Sequence, residues 1–364
     1  MNDSIFIPRF DISTSMRSTL EDIERQRWLI DNMLLMPKHE AWIRRDVQVR
    51  RASGTTRIEG ASLDETAVSK LVDKRPAGRP TADEQANVNA LEAYEFVDFL
   101  TDQLDVPVDE LVIRQLNRYI LTGGAEVLTP GNYRKGENTV GSFTPPNQGD
   151  VASLMRSFAL WLRDASDETH PILRAGLAHI HLVAIHPFLD GNGRVARALS
   201  TLLLQRSPFG FKRLLSLESY LFDIRDDYID AIERTLGTTF EPDYDATPWL
   251  DFFTSAFRVH VDWLVAHLTD WHRMMQDLHD DGAELGLLPR QVDGHIFALR
   301  TGQITRRDYM QVTGVSGVTA SRDLGKLVAF GLLTADGNAR SRIYRPRVPE
   351  TDPDSADRQL SLIH

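Results

Sequence analysis

Apolar residues recur at helical spacing over most of the first 280 positions of the chain. The spacing covers residues 18–49, with a break predicted at Pro37, and then residues 82–100. Three further stretches show the same spacing: residues 151–204, which form two or more segments, 224–236 and 249–278. The pattern predicts a main body that is nearly all α-helical.

Two segments interrupt this helical pattern. The first, DKRPAGRPT at residues 73–81, is charged and rich in proline and glycine, which predicts a loop. The second, TPGNYRKGENTVGSFTPP at residues 129–146, has glycine and proline at both ends and a short apolar segment at 140–144. We expect it to form an ordered flap, built as a short or irregular β-hairpin.

The pattern changes after Leu288. Helices are predicted around three stretches: residues 291–299, 305–312 and 319–330. Two short strands then flank an Asp-Gly turn at 336–337, which is the local signal of a hairpin. Three helices and a basic hairpin predict a winged helix-turn-helix domain at residues 289–348. The polar, proline-bearing residues 349–364 predict a disordered tail.

The composition is that of an ordinary soluble globular protein. The 364 residues, 42% of them hydrophobic, suffice for a sizeable core and for two or three domains. The absence of cysteine excludes disulfides and thiolate metal sites and fits a reducing compartment. The first ten residues lack a basic stretch followed by an apolar one, and no apolar run approaches the roughly 20 residues of a membrane helix. We therefore expect a cytoplasmic protein that contacts no membrane.

Charge is distributed unevenly along the chain. The formal net charge of -11 argues against a general affinity for polyanions. Residues 289–348 nevertheless contain ten Arg or Lys and four Asp, a balance of +6, which leaves -17 on the remainder. The C-terminal part therefore differs electrostatically from the main body.

A short polar run, HPFLDGNGRVAR at residues 186–197, separates two strongly apolar helical segments. Gly191 and Gly193 permit backbone angles that let successive N–H groups converge on an anion. The helix that follows adds its positive N-terminal end. Arg194 and Arg197 are three residues apart, so both project from one face of the first turn. The run predicts a site for more than one phosphate group.

Two further side chains give this site its candidate chemistry. Asp190 would repel bound phosphates unless a Mg²⁺ ion bridged the carboxylate and the phosphate oxygens. His186 has an ordinary pKa of about 6.5 and can accept a proton near neutral pH. Each residue also has a structural alternative: Asp190 or Asn192 as a helix cap, the arginines as surface charge, and His186 as a loop histidine. The joint order is much rarer than any single residue, which favours a functional site.

The run matches the motif of the Fic (filamentation induced by cAMP) family, His-x-Phe-x-Asp/Glu-Gly-Asn-Gly-Arg-x-x-Arg, at every defined position. The surrounding chain, from about residue 55 to residue 236, also resembles that family, including the flap with Gly131 and Arg134. The resemblance implies a Fic-type helical core with a short β-hairpin flap. It also implies transfer of AMP from ATP to a Ser, Thr or Tyr hydroxyl of a target protein, with self-modification expected.

By matching position, the resemblance assigns a role to each residue of the motif. His186 would be the general base that takes the proton of the target hydroxyl, and Asp190 would hold Mg²⁺ against the α- and β-phosphates. Arg194 would bind the β-phosphate and Arg197 the γ-phosphate. The remaining positions are the core anchor Phe188 and the anion nest Gly191, Asn192 and Gly193.

Two more assignments follow from the same resemblance. The flap would hold the target's backbone as an added strand through Val140, Gly141, Ser142 and Phe143, although a purely structural hairpin would have the same pattern. Tyr228 falls where the family often has an aromatic residue near the nucleotide base. Of the two interpretations, we favour packing in the core for Tyr228.

A second pattern, SGTTRIEGAS at residues 53–62, places a carboxylate where a helix is expected to end. A capping box that used Glu59 would leave Gly60 inside the new helix, whereas Ser62 with Glu65 gives that helix a better start. We therefore expect Glu59 near the end of the preceding helix, with Gly60 ending it. A carboxylate there opposes the helix dipole and needs a cationic partner.

The Fic family has an inhibitory motif, Ser/Thr-x-x-x-Glu-Gly/Asn, which residues 55–60 match. The resemblance implies that Glu59 pairs with Arg197, occupies the γ-phosphate position and stops ATP from binding productively. It points to the class with an N-terminal inhibitory helix, with a helical region at residues 1–80 and a catalytic domain at 81–280. The reverse reaction, in which Glu59 positions a water that removes AMP from a modified target, remains an alternative.

A DNA-binding regulator whose Fic domain only senses nucleotide is an alternative of a different class. Residues 319–326 would then be the recognition helix, with Arg340, Arg342 and Arg345 on the wing. Winged helices also dock other proteins or form homodimers, so the partner of this domain stays open.

The stretch HIHLVAIH at residues 179–186 contains two further histidines. On a helix, His179 and His181 point about 200° apart, so a shared metal site is not expected. We interpret both as structural residues.

Overall fold

The structure is a computed structural model that describes residues 5–35, 37–73, 78–123, 129–164, 168–337 and 342–347. Within these ranges the chain is mainly α-helical, which confirms the fold class expected from the apolar spacing. It divides into two compact units, residues 1–262 and 263–364. The predicted tail at 349–364 and Arg340 of the predicted wing lie outside the described residues. In the described part, no helix combines the length and the apolar character needed to cross a membrane.

The described residues of the first unit form helices joined by loops. These helices are α1 (Thr14–Asn32), α2 (Pro37–Ile58), α3 (Glu65–Asp73), α4 (Ala82–Asp102), α5 (Glu110–Leu121), α6 (Val151–Arg163), α7 (Pro171–Ile185), α8 (Asn192–Gln205), α9 (Leu217–Asp223) and α10 (Arg225–Leu236). A 3₁₀ helix, Pro208–Arg213, lies between α8 and α9. Helix α11 (Thr247–Glu284) continues from the first unit into the second. The break predicted at Pro37 is the start of α2.

Helices α7 and α8 pack against each other at the centre of the first unit. Nearly every residue of α7 is buried, since its apolar residues face all sides of the helix. The first part of α11 comes close to α7 at Gly176, where a Cβ atom would lie 2.9 Å from the Phe253 ring. The Trp249 indole N–H donates to the Gly176 carbonyl at 2.7 Å. The polar loop between α7 and α8 is therefore carried by a buried pair of helices.

Helix α2 is held against α9 by close backbone contact. Gly54 lies at the contact, where a Cβ atom would come within 2.5 Å of the Ser219 backbone nitrogen. The buried Arg51 side chain donates to the Leu215 carbonyl at 2.8 Å. Helix α2 also packs against α4. These contacts position the last turn of α2, which carries the predicted inhibitory motif at residues 55–60.

Helix α2 ends as the sequence predicts. Gly60 has a φ of 99°, in the region that favours glycine. Its N–H donates to the Arg57 carbonyl at 3.0 Å, and the Ala61 N–H donates to the Thr56 carbonyl at 3.1 Å. These two bonds form a Schellman motif, which confirms Gly60 as the end of the helix and leaves Glu59 at its C-terminus.

The predicted start of the next helix needs a correction. Helix α3 begins at Glu65, but its cap is Asp64, whose carboxylate accepts from the Ala67 N–H at 2.8 Å. Ser62 is not the cap, because its N–H and its hydroxyl both donate to the Asp83 carboxylate, at 2.8 and 2.5 Å. A residue directly before the first helical position is better placed to reach the first-turn amides.

The segment predicted as a flap is an irregular structure between α5 and α6. Its hairpin is a single four-residue turn, in which Val140 and Phe143 exchange two backbone hydrogen bonds of 2.9 Å. After the turn, the Thr144 N–H donates to the Thr238 carbonyl at 2.8 Å, and the Phe240 N–H donates to the Thr144 carbonyl at 3.0 Å. The segment is thus anchored by isolated pairings, and the described residues 129–150 contain no longer strand.

The second unit combines three helices with a small antiparallel sheet. Its elements after α11 are α12 (Pro289–Thr301), β1 (Ile304–Thr305), α13 (Arg306–Thr313), α14 (Gly317–Ala329), β2 (Leu333–Asp336) and β3 (Ile343–Pro346). The strand order is β1-β3-β2, with both pairings antiparallel. The three helices and the strands β2 and β3 agree with the prediction. Strand β1 was not predicted, because two residues are too few to show alternation.

Candidate active site

The loop between α7 and α8 turns sharply at both of its ends. His186 follows α7 in a left-handed conformation, with φ 48° and ψ 57°, and Gly191 precedes α8 with a φ of 80°. A positive φ is uncommon for a residue with a Cβ atom. Specific contacts must therefore hold His186 in this conformation.

Two buried asparagines clamp the loop. Asn192 accepts from the Phe188 N–H and donates to the Phe188 carbonyl, both at 2.9 Å. Asn117 of α5 donates to the Asp190 carbonyl at 3.0 Å and accepts from the Gly131 N–H at 2.8 Å. The Asn192 side chain is thus committed to the loop, and only its backbone N–H is left for the predicted anion nest.

Arg134 ties the flap segment to the loop at His186. Its buried guanidinium donates through Nε to the His186 carbonyl and through Nη1 to the Gly136 carbonyl, each at 3.0 Å. Its Nη2 donates to the Pro146 carbonyl. Its backbone N–H donates to the Pro187 carbonyl at 2.9 Å. These bonds explain how the strained backbone of His186 is held.

The first turn of α8 has the features of an anion site. No side chain caps this helix, so its first N–H groups are available to a ligand. Arg194 and Arg197 flank the turn, with side chains 13% and 2% exposed. Gly193 lacks the Cβ atom that would fill the site, since a Cβ there would lie 2.7 Å from Glu59 Oε1. The structure thus brings together the residues that the sequence predicted to bind phosphate.

Helix α2 delivers a carboxylate to this site. Glu59 Oε1 lies 2.6 Å from Arg197 Nη2, and the pairing expected from the sequence is therefore present. Thr55 accepts two bonds from the same guanidinium, from Nε to its hydroxyl at 2.8 Å and from Nη2 to its carbonyl at 3.1 Å. These contacts of Thr55 with Arg197 were not predicted.

The charges around Glu59 keep it ionised. Burial alone would raise its pKa, but the charge and hydrogen bond of Arg197, with the charges of Arg194 and Arg225, hold the pKa of Glu59 below its ordinary value of 4.5. Arg225 also donates through Nε to the carbonyl of Ile58, the last residue of α2, at 2.8 Å. At neutral pH Glu59, whose side chain is 42% exposed, is therefore ionised beside the N-terminal end of α8.

His186 has the protonation state that a general base requires. Burial and, to a smaller extent, the Arg134 charge lower the pKa of His186 to about 4, although a backbone hydrogen bond with Val183 and the charges of Glu59 and Asp190 act in the opposite sense. A ring with this pKa is neutral at pH 7 and can accept a proton.

Asp190 lies on the open side of the site. Its side chain is 49% exposed, and its Oδ2 lies 3.1 Å from Arg194 Nη2. Its Oδ1 accepts from the Gly191 N–H at 2.6 Å. No group of three or more His, Cys, Asp or Glu that could hold a metal ion occurs in the described ranges. One accessible carboxylate fits Mg²⁺, which usually takes one or two protein carboxylates together with substrate phosphates and water.

Tyr228 and the two upstream histidines lie in the core. Tyr228 is 2% exposed, and its hydroxyl lies 2.9 Å from His179 Nε2 and 3.2 Å from Arg197 Nη1. His181 is paired with another tyrosine, Tyr244, at 3.3 Å from its Nδ1. The two histidines therefore make separate core contacts. Tyr228 has almost no exposed surface that a nucleotide base could contact, so its ring agrees with the core-packing alternative.

Sequence reasoning missed two residues that organise the site, Asn117 and Arg225. Asn117 carried a signal, since it lies on the apolar stripe of α5 between Ile113 and Ile120, where a polar residue needs internal partners. Arg225 carried none, because its contact joins positions 167 residues apart.

Residues 107–204 match the model of the Fic/DOC family. The matched segment contains α5 to α8, the flap segment and the complete polar loop. The likeness to the Fic/DOC family therefore covers this segment, and the predicted motif residues lie together within it.

Curated proteins are similar to part of this chain. The protein adenylyltransferase Fic of Drosophila yakuba is 33% identical over 156 residues, which are 42% of this chain and 31% of that protein. Its counterpart in Drosophila grimshawi is 39% identical over 111 residues, which are 30% of this chain and 22% of that protein. The chain thus spans less than a third of the length of these curated relatives.

Solved structures extend the likeness in fold. A Fic family protein from Desulfovibrio desulfuricans G20 has a TM-score of 0.64 at 22% identity, with 95% of this chain and 100% of that chain covered. Fic-1 from C. elegans has a TM-score of 0.59 at 22% identity, covering 72% and 74%. At these identities the likeness shows the fold alone.

Proposed function

We propose that this chain is a protein adenylyltransferase that transfers AMP from ATP to a hydroxyl group of a target protein, and that Glu59 holds it inactive. The observation that carries the proposal is the Glu59 carboxylate, which lies against Gly193 and Arg197 at the N-terminus of α8. An internal carboxylate paired with a buried arginine marks a position that suits a ligand phosphate. The Drosophila relatives, named protein adenylyltransferases, support the same activity.

The phosphates of ATP would bind at the first turn of α8. The backbone N–H groups of Asn192 and Gly193 would donate to phosphate oxygens, and that of Gly191, which donates to Asp190 Oδ1 at 2.6 Å in the structure, would join them by exchanging this partner. Arg194 would bind the β-phosphate from the open side, and Arg197 the γ-phosphate from the buried side. Asp190 would hold Mg²⁺, which when bound neutralises phosphate charge and makes the α-phosphorus more electrophilic.

His186 would act on the attacking hydroxyl. Its neutral ring takes the hydroxyl proton while the oxygen bonds to the α-phosphorus and the bond from that phosphorus to pyrophosphate breaks. The products are the AMP-modified side chain and pyrophosphate, with the proton on His186. Such a base contributes roughly 10²- to 10⁴-fold to the rate, so positioning and charge neutralisation supply most of the remainder.

The target would dock on the turn of the flap segment. Gly141 and Ser142 are exposed at its tip, and Val140 is 39% exposed, while the buried Phe143 anchors the turn. The N–H and carbonyl groups of Val140 and Phe143 bond to each other. We therefore place the backbone contacts of an added target strand at the exposed groups around Gly141 and Ser142.

Labelling with ATP tests this function. Glu59→Gly should label itself strongly with ATP carrying the label on the α-phosphate and not at all with label on the γ-phosphate, since only AMP is transferred. Adding His186→Ala should abolish the labelling. Glu241→Gly, the same substitution at an exposed loop residue, should remain as weakly labelled as wild type. Equal labelling of wild type and Glu59→Gly would contradict the inhibition, and labelling in the double variant would exclude His186 as the base.

The same labelled protein tests the reverse reaction. Purified, self-labelled Glu59→Gly is freed of ATP and mixed with unlabelled wild type or with Glu59→Gln. Release of AMP by wild type but not by Glu59→Gln would show that Glu59 positions a water for removal of AMP. Retention of the label in both mixtures would leave inhibition as the role of Glu59.

A second candidate function, DNA binding, is favoured by the exposed basic face of the second unit. Its helices and strands follow the order of a winged helix-turn-helix. Helix α14 exposes Val318, Ser321 and Arg322, and α13 begins with the exposed Arg306 and Arg307. We propose α14 as the recognition helix, with α13 on the phosphate backbone.

The exposed Arg342 and Arg345 next to the β2–β3 connection extend this face as a wing. Fluorescence anisotropy with the full chain and a labelled DNA duplex would measure the affinity at several salt concentrations. Arg322→Ala should weaken binding and reduce the salt dependence by about one counterion. Arg273→Ala, an exposed arginine on α11, is the control. Absence of binding at low salt would exclude this function.

A further inference from the structure

Four hydrogen bonds hold the guanidinium of Arg197 in the inactive structure. Three of them come from α2 and the residue after it: two from Thr55 and one from Glu59. The fourth comes from the opposite side, where Nη1 donates to the Tyr228 hydroxyl at 3.2 Å. Tyr228 is thus the partner of Arg197 that does not belong to the inhibitory segment.

The chemistry of the guanidinium determines the direction of this fourth bond. A guanidinium can only donate, so the Tyr228 oxygen accepts from Arg197. The hydroxyl proton is then free for His179 Nε2, 2.9 Å away, which must be unprotonated to accept it. The opposite nitrogen, Nδ1, carries the ring proton and faces the Ser200 hydroxyl at 3.4 Å. Ser200 donates onward to the Ala175 or Ala196 carbonyl, each at 3.0 Å.

The hydrogen bonds thus form a series that runs from Arg197 through Tyr228, His179 and Ser200 to the backbone. Each donor in this series has one acceptor. Burial and the Arg197 charge hold the pKa of His179 well below 6.5, which agrees with a neutral ring. The Tyr228 ring packs edge-on to His179 and Trp249, so the hydroxyl has a fixed position. This series of hydrogen bonds does not include Glu59, so it can orient Arg197 whatever group occupies the position of Glu59.

We propose that Tyr228 is a positioning residue that keeps Arg197 directed at the γ-phosphate when ATP replaces Glu59. The proposal rests on the adenylyltransferase function proposed above. It gives Tyr228 a role in recognising the third phosphate and none in contacting the base. If Tyr228 contacted the base, its loss would change the affinity for all adenine nucleotides alike. If it acts through Arg197, its loss changes the affinity for ATP and leaves the affinity for ADP unchanged.

Isothermal titration calorimetry tests this in the Glu59→Gly background, where the site is open. Adding Tyr228→Phe removes only the hydroxyl, and we expect the Kd for Mg-ATP to rise by roughly tenfold to a hundredfold, the effect of one lost bond to a charged group. The Kd for Mg-ADP should not change. Circular dichroism of both proteins checks that the fold is retained.

Tyr244→Phe in the same background is the matched control. Tyr244 is a half-buried tyrosine that is also paired with a histidine of α7, but its partner is His181. This variant should leave both affinities unchanged. If Tyr228→Phe weakens ATP and ADP equally, or weakens neither, the positioning role is wrong. If Glu59→Gly itself binds neither nucleotide, both this role and the proposed function fail.

Discussion

Arg225 contacts the end of α2, and under the proposed function its removal should raise the self-labelling activity. Its Nε donates to the carbonyl of Ile58 at 2.8 Å, directly before Glu59 in the chain. This carbonyl lies at the C-terminus of α2, where a cation is also favoured by the helix dipole. The charge of Arg225 further stabilises the Glu59 carboxylate. We expect Arg225→Gln to loosen Glu59 without touching Arg197.

The size of the effect follows from the exposure of the side chain. A hydrogen bond to a charged group contributes about 1.5–3 kcal/mol, and the Arg225 side chain is 47% exposed, so solvent screening reduces this to about 1–1.5 kcal/mol. Since about 1.4 kcal/mol corresponds to a tenfold change in an equilibrium, the released population should rise roughly fivefold to tenfold. The self-labelling rate should rise by the same factor as long as the released form is the minor one.

Initial rates of self-labelling with α-labelled ATP measure this. Arg234→Gln is the control, because Arg234 lies on the same helix and bonds through Nε to the Asp230 carbonyl of its own turn, at 3.3 Å. In the Glu59→Gly background, Arg225→Gln should have no further effect, since there is no inhibitor left to release. A lower rate in that double variant would show that Arg225 binds ATP or target, and an unchanged rate in the single variant would refute the anchoring.

Three further predictions concern protonation and packing. Burial lowers the pKa of His186 to about 4. The self-labelling rate of Glu59→Gly should therefore stay constant from neutral pH to about pH 5 and fall at lower pH, as the His186 ring gains its proton. A loss of activity centred at pH 6.5, the ordinary pKa of histidine, would contradict this. The pKa of Glu59 is lowered below its ordinary value of 4.5, so its ion pair with Arg197 is complete above pH 4.5 and is lost only as the pH falls through the lowered pKa. The ratio of the wild-type labelling rate to the Glu59→Gly labelling rate should therefore not vary near neutral pH. Gly54→Ala should lower the free energy of unfolding by roughly 1–3 kcal/mol, because the added Cβ would meet the Ser219 backbone. Gly78→Ala is the control, since a Cβ at Gly78 has open space and should leave the free energy of unfolding unchanged. Thermal denaturation of the two variants measures the difference.

The motif residues could be predicted because their chemistry depends on local order. Gly191 precedes α8 and Gly193 lies in its first turn, where N–H groups have no partner within the helix, and Arg194 and Arg197 share a face because they are three residues apart. The same holds for Gly60, whose conformational freedom ends α2 where the sequence places it. In each case the relevant physics acts within about one helical turn.

The clamps of the site depend on contacts between distant parts of the chain, which local patterns do not show. Thr55 reaches Arg197 across 142 positions, and Asn117 reaches Asp190 across 73. The flap illustrates a second limit, since its form depends on isolated backbone pairings such as that of Thr144 with residues 238–240. Turn and cap residues compete for the same amides, which is why Asp64 caps α3.

The arrangement around Arg197 explains how a buried salt bridge can serve as a switch. Leaving a buried charge without its partner costs about 3–5 kcal/mol, so simple withdrawal of Glu59 is unfavourable. If a γ-phosphate replaces the carboxylate as it leaves, the guanidinium stays paired with an anion throughout, and its bonds to Thr55 and Tyr228 can remain. Only the bond to Glu59 has to be exchanged. Under the proposed function, we therefore expect a small movement of the turn at residues 59–61 to suffice for activation while α2 keeps its contact with α9.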